Sequence, residues 1–161
     1  MAPVLSFTAE EIWRTLATQS GGNQGVSSVH LSTFPEVQPQ WQDAALAQRW
    51  ERLLGYRTQV QGVLEGSRRD KVIGSSLEAS VELRADADSY EFLQSYHKDL
   101  TTLFIVSQVK LIASDKAKGS LEIVATKSSF GKCERCWNYR EAVGQDASHA
   151  TLCERCVEAV Q

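Results

Sequence analysis

The chain is predicted to be an α+β protein, on three observations. An apolar spacing of three, four and seven residues runs through the segment Trp41 to Arg69, as on one buried stripe of a long helix. From Ala79 the spacing changes to strict alternation, as in a half-buried strand. All four cysteines, Cys133, Cys136, Cys153 and Cys156, fall within the last 29 residues as two Cys-Glu-Arg-Cys repeats. These changes of pattern divide the 161 residues into helices over 1–74, a small α+β unit over 75–127 and a cysteine finger over 128–161.

The first helix is expected over Pro3 to Ala17. Ser6 or Thr8 can cap it, Glu10 and Glu11 sit in its first turn, and Ile12, Trp13 and Leu16 make its apolar face. The chain begins almost inside this helix, as expected of a segment of a longer protein. Gln19 to Ser28 is rich in Gly, Ser, Gln and Asn and is expected to be a mobile loop. Val29, His30 and Leu31 read as a short extended piece, ended at Phe34-Pro35 because the residue before proline is pushed away from helix. In the long helix, Leu46, Trp50, Leu53, Val60 and Leu64 form the expected stripe, with Arg57 at its edge or paired on it. Gly55 and Gly62 each weaken that helix by about 1 kcal/mol relative to alanine, so packing must hold it. Ala79 to Ala85 is a strand with Val81 and Leu83 on one face. Asp86 to Leu100 is a helix with Tyr90, Leu93 and His97 or Tyr96 inward. Leu103 to Ile112 is a second strand, Ser114 to Gly119 a turn, and Leu121 to Thr126 a third strand.

Composition narrows the function classes. At 42% hydrophobic and 23% charged the chain is globular. It has no apolar run of membrane-spanning length and no basic region followed by an apolar one of the secretory kind, so a cytoplasmic location is expected; a monomer is expected as well. A net charge of -3 speaks against binding nucleic acid over the whole surface. One stretch is locally positive: Arg49, Arg52, Arg57, Arg68, Arg69 and Lys71 stand against Glu51, Glu65 and Asp70. That stretch is a phosphate-binding stripe or a solvated helix face of mixed charge.

The cysteines follow the pattern C-x2-C, sixteen residues, C-x2-C, which is the spacing of a zinc site. Two residues between cysteines let a tight turn aim both sulfurs at one point, and two such turns supply four thiolates at tetrahedral corners. A single redox pair would need one C-x-x-C beside a βαβ unit. His149 replacing one thiol is the other reading left open. Four protein ligands leave no place for water, so one structural Zn2+ is expected rather than metal-assisted chemistry. Residues 132–160 hold few apolar side chains, so the metal must supply folding energy, on the order of 10–16 kcal/mol in comparable peptides.

The residues around the cysteines carry a resemblance. Lys132-Cys133-Glu134-Arg135-Cys136-Trp137-Asn138-Tyr139, then Val143-Gly144, His149 and Cys153-Glu154-Arg155-Cys156, resembles the C-terminal zinc segment of bacterial isoleucyl-tRNA synthetases, which are class I enzymes. Three further stretches agree in order: Leu5 to Trp13, Ser28 to Leu31 with Phe34-Pro35, and Leu64 to Ala79. The resemblance implies the end of a helical anticodon-binding domain, a small α+β unit and a zinc finger. It implies tRNA for isoleucine and the remainder of the synthetase as partners. The signatures of the family's catalytic domain are absent here, so the chain alone is expected not to activate isoleucine.

An unpaired anticodon is recognised by aromatic faces, guanidinium planes and phosphate contacts. Arg57, Arg68, Arg69 and Lys71 are the phosphate candidates. Trp137, flanked by Lys132, Arg135, Arg140 and Arg155, is a candidate stacking platform, or alternatively the cap of a small zinc core. Arg68 has the alternative of pairing with Glu65 or Asp70. Two rivals stand beside RNA binding: a zinc-stabilised protein-interaction or interdomain packing module, and the finger of a DNA-repair glycosylase, which would need an N-terminal catalytic proline in place of Pro3 after Met1-Ala2.

Overall fold

A computed structural model describes residues 1–20, 26–115, 117 and 121–161. The expected loop over 19–28 and the turn over 114–119 lie partly outside the described residues. The chain forms two compact units, Met1–Asp43 and Ala44–Gln161.

In the first unit, α1 spans Ser6–Ser20. Glu10 is its anchor. Its carboxylate accepts from Ser28 Oγ at 2.8 Å, from the Val29 amide at 3.1 Å and from Arg14 Nε at 3.1 Å. Trp13 donates its indole N–H to the Val26 carbonyl at 3.1 Å. These bonds decide the conformation of the next segment. Val29–Leu31 is a 3-10 turn, not the extended piece expected. Ser28 caps it by accepting from the His30 amide, and Glu10 holds Ser28 in place, so a local capping bond overrides the β preference of Val29. A second 3-10 turn covers Pro39–Trp41.

In the second unit, α2 spans Ala44–Arg69, so Trp41 lies outside it. Its stripe is shorter than expected. Leu53, Val60 and Leu64 are buried, whereas Leu46 and Trp50 are 42% and 48% exposed. The core that covers the helix begins at Leu53. The helix ends in a turn where Lys71 takes a positive φ of 57° and the Val72 and Ile73 amides return to the Ser67 carbonyl.

β1, Ala79–Ala85, is the central strand of a three-stranded sheet of order β2-β1-β3. It runs parallel to β2, Gln108–Ala113, with Val81 opposite Val109, and antiparallel to β3, Glu122–Lys127, with Val81 opposite Ala125. Alternation held here: Ala79, Val81, Leu83 and Ala85 are buried, and Leu121, Ile123 and Ala125 turn towards the same core. The connection from β1 to β2 differs from expectation. The helix expected over 86–100 is α3, Ala87–Ser95, followed by α4, Leu100–Phe104, with a turn between. The strand expected from Leu103 therefore begins only at Gln108. Leu100, Phe104 and Val106 are buried as a hydrophobic plug, and Ile105, with φ 57°, ends α4. Leu93 is buried and Tyr96 half-buried, while His97 is exposed. A polar joint ties α2 to the start of α3. Arg52 donates to Asp88 at 2.6 Å and to the Tyr56 hydroxyl, stacks its guanidinium 4.2 Å from the Phe92 ring centroid, and Tyr56 donates to Ser89.

Candidate metal centre

The finger hangs from a short hairpin. β4, Gly131–Lys132, pairs antiparallel with β5, Tyr139–Arg140. A Cβ on Gly131 would meet Val143 Cγ1 at 3.1 Å, so a side chain here would require Val143 to shift. The first knuckle, Cys133 to Cys136, is closed by the Trp137 amide donating to the Cys133 carbonyl at 2.8 Å and by the Cys133 amide donating to the Asn138 carbonyl at 2.9 Å. The second, Cys153 to Cys156, leads into α5, Glu154–Glu158, with the Cys156 amide donating to the Cys153 carbonyl at 2.9 Å. Glu134 N to Thr151 O at 3.1 Å sews the knuckles together.

All four sulfurs lie within 4.8 Å of one another. Cys136 and Cys153 are 3.7 Å apart at Sγ. A tetrahedron with metal–sulfur arms of about 2.3 Å has an edge of about 3.8 Å, so this pair is spaced for one ion. Cys133, Cys153 and Cys156 are buried and Cys136 half-buried, with Val143 and Leu152 against them. The four thiols are free, and no disulfide competes for them. His149 is not a member of the cluster; its amide is bound by Asp146 instead.

The protein environment prepares the sulfurs unequally. Burial pushes the Cys133 thiol up, but the backbone amides of Cys136, Cys153 and Arg135 outweigh it and bring it down to about 6. The Cys153 amide stands 3.4 Å from that sulfur. Cys136 is also lowered: burial opposes, and the Asn138 backbone and side chain prevail. Cys153 is pushed up to about 12, first by burial and then by the neighbouring sulfurs. Amides that aim at sulfur on one side, and mutual repulsion on the other, are the condition that a divalent cation relieves. The donor set fits one structural zinc with every position filled by protein.

Two side chains dock the finger on the sheet. Ser107, buried beneath it, accepts from the Tyr139 amide at 2.7 Å while donating to the Leu77 carbonyl. Gln108 donates to the Tyr139 carbonyl at 2.9 Å and to Ser128 Oγ at 2.9 Å. Nothing in the sequence pattern marked this clamp, because a serine and a glutamine at a strand start carry no periodic signal. Beside it opens a groove of about 530 Å³ walled by Phe130, Tyr139, Arg140, Gln145 and Glu154.

The candidate RNA residues occupy two places. Arg57, Arg68, Arg69 and Lys71 lie along the second half and the end of α2. Arg68 is engaged with Glu65 and Ser76, as its alternative reading required. Arg57 is half-buried, with Nε enclosed and without a hydrogen-bond partner among the described residues. Arg69 and Lys71 are exposed and form no ion pair among the described residues. Around the finger, Arg140 pairs with Glu154 at 3.5 Å, and Arg135 brings Nη1 to 3.7 Å from Cys156 Sγ. Trp137 does not cap the zinc core. It is 61% exposed, on a left-handed backbone of φ 64°, with Lys132 Nζ 5.9 Å from its ring centroid.

Comparison with known proteins agrees with both halves. Residues 1–83 match the family described as the anticodon-binding domain of tRNA ligase, and residues 130–159 match the zinc finger found in FPG and IleRS. The chain is 44% identical, over all of its length, to an isoleucine–tRNA ligase of Geobacter sulfurreducens, and 45% identical, over 98% of its length, to that of Syntrophotalea carbinolica. The Moorella thermoacetica ligase is 40% identical over the whole chain. The chain spans 18%, 17% and 18% of these relatives respectively, so it answers to less than a fifth of each. The chain therefore belongs to the family of the anticodon-binding domain of tRNA ligases, in the form found in the C-terminal part of isoleucine–tRNA ligases, where a four-cysteine zinc finger follows.

Proposed function

We propose that this chain binds the anticodon arm of tRNA, and that of isoleucine tRNA in particular, as the C-terminal part of a cytoplasmic, monomeric synthetase. In that setting it supports ATP-dependent attachment of isoleucine to its tRNA without itself activating the amino acid. The observation that carries this reading is the family match over residues 1–83 on the same chain as the finger. The proposed division of labour is helices over 1–74, the α+β unit over 75–127 as a mount, and the finger over 128–161.

Geometry supports two kinds of contact. Trp137 offers an exposed ring on the first knuckle, with Lys132 over its face and Arg135 and Arg140 in the same finger, and stacking on an unpaired base contributes about 1–3 kcal/mol. Arg69 and Lys71, with Arg57 and Arg68 behind them, offer cations to phosphate, which fix the RNA without reading its sequence. Among the described residues, Lys71 and Trp137 are two of the three non-glycine residues with positive φ, and strained backbone of this kind clusters at functional positions.

The test is a tRNA titration with Trp137→Ala and Lys71→Gly variants. Glycine at 71 removes the cation while accepting the left-handed backbone, so folding is kept. Trp137→Ala is expected to weaken binding by about fivefold to a hundredfold at every salt concentration. Lys71→Gly is expected to weaken it and to flatten its salt dependence by about one charge. Parent-like affinity and salt slope in both variants would remove the RNA reading from these residues. A second reading, packing against the rest of the synthetase, is favoured within Met1–Asp43, where Phe7, Phe34 and Trp41 are 93%, 82% and 74% exposed.

A further inference from the structure

The groove where the finger meets the sheet takes no part in metal binding. Its volume of about 530 Å³ lies within the range of small-ligand sites, about 300–1,000 Å³. Its base is fixed, because Ser107 and Gln108 hold both backbone groups of Tyr139. Phe130 supplies an apolar wall. Its ring is 38% exposed, while its amide is held by Ser128 Oγ at 3.2 Å. Gln145 lines the groove with an exposed side-chain amide, steadied by its bond to the Glu141 carbonyl at 3.1 Å. Arg140 is only half engaged. Its Nη1 reaches Glu154 at 3.5 Å, and its Nε is enclosed without a hydrogen-bond partner among the described residues. A donor left in that state is costly, and turning the guanidinium onto a ligand acceptor relieves it.

Charge decides what fits. The walls carry one cation, Arg140, against two carboxylates, Glu141 and Glu154, so a phosphate is repelled. A flat, neutral ring with its own donors and acceptors is suited to every wall. It lies against Phe130, gives an amino or ring N–H to a carboxylate, and accepts from Arg140 or Gln145. That is the chemistry of a nucleobase, and unpaired bases are read by this combination of aromatic face and polar edge. The groove is also well placed on the finger. Trp137 stands two residues before Tyr139, so their Cα atoms are at most about 7 Å apart, within reach of nearby nucleotides of one strand. We infer that the groove receives an unpaired base of the RNA, stacked on Phe130, while Trp137 stacks another base of the same strand. This deepens the RNA reading above and rests on it: the finger takes two bases, by two different surfaces.

Substitutions in the groove test this, by titration of the full zinc-loaded chain with isoleucine tRNA at several salt concentrations. Zinc content and circular dichroism establish that each variant is folded. Phe130→Leu keeps an apolar side chain and removes the ring, and is expected to weaken binding by about fivefold or more. Phe130→Tyr keeps the ring and is expected to bind like the parent. Gln145→Ala is expected to weaken binding by about twofold to tenfold, and its exposed position lets it carry the test if Phe130→Leu fails to fold. The salt slope should stay that of the parent in all three, because no phosphate contact is lost. Parent-like affinity in Phe130→Leu and Gln145→Ala would overturn the inference. So would equal losses in the two Phe130 variants, which would make that side chain a packing element, or a salt slope flattened by about one charge, which would place a phosphate in the groove. These outcomes leave the RNA reading standing. A parent chain that binds no tRNA would overturn that reading and this inference with it.

Discussion

Glu10 shows how one side chain sets a local structure. It accepts first from Ser28 Oγ, then from the Val29 amide, and it pairs with Arg14; these bonds outweigh burial and hold its carboxyl below the usual carboxylate range. A folded-state pKa depressed in this way contributes stability that is complete above the unfolded value and is lost as pH falls through the folded one. Acidification below the carboxylate range should therefore loosen the Val29–Leu31 turn. Amide hydrogen exchange at Val29 and His30 is expected to speed up there, and Glu10→Gln should remove most of that pH dependence. No sequence pattern announced this anchor, since Ser28 lies 18 residues away. The cysteines were legible for the opposite reason: their geometry is local, and two residues between sulfurs suffice to aim them. Trp137 was legible as to position and not as to packing. Its exposure depends on Val143 and Leu152 filling the space against the cysteines, and spacing does not report that.

At the level of elements, α2 carries a cost visible in both sequence and structure. Gly55 and Gly62 lie inside it, and a Cβ added at either meets nothing within 4 Å. Alanine there should stabilise the chain by about 0.5–1 kcal/mol per site, read as a raised midpoint in urea with an unchanged slope. A fall in the midpoint would mean that these glycines serve a close approach by another surface. β1 was read correctly because it is covered on one face only, which leaves a clean alternation from Ala79 to Ala85. Residues 103–107 were misread as strand because an apolar run rich in Phe, Ile and Val suits a strand by composition. Here Leu100, Phe104 and Val106 fill the core from a helix, its end and the residue beyond, and Ile105 bears a left-handed backbone that costs about 1–2 kcal/mol. Tertiary burial outweighed both propensity and strain.

Across the unit Ala44–Gln161, helix, sheet and finger are joined by specific bonds. α2 lends Leu53, Val60 and Leu64 to the same core as Val81, Leu83 and Phe104. Ser107 and Gln108 then hold both backbone groups of Tyr139, so the finger is mounted on the start of β2. The finger's own core is little more than cysteines with Val143 and Leu152, and only the metal gives it much folding energy. The buried cluster around the sheet, eleven residues among those described, does not include the finger and is expected to survive metal removal. Chelation should therefore disorder the finger and spare the sheet. The most direct measurement is a titration of zinc-loaded and chelated chain with isoleucine tRNA and with an unrelated tRNA, at two salt concentrations, with circular dichroism on each sample. Preferential, salt-sensitive binding by the loaded chain, weakened on chelation while the sheet stays folded, is the expected result. Equal affinity for both tRNAs, or binding untouched by loss of zinc, would contradict an anticodon-arm module ordered by its metal.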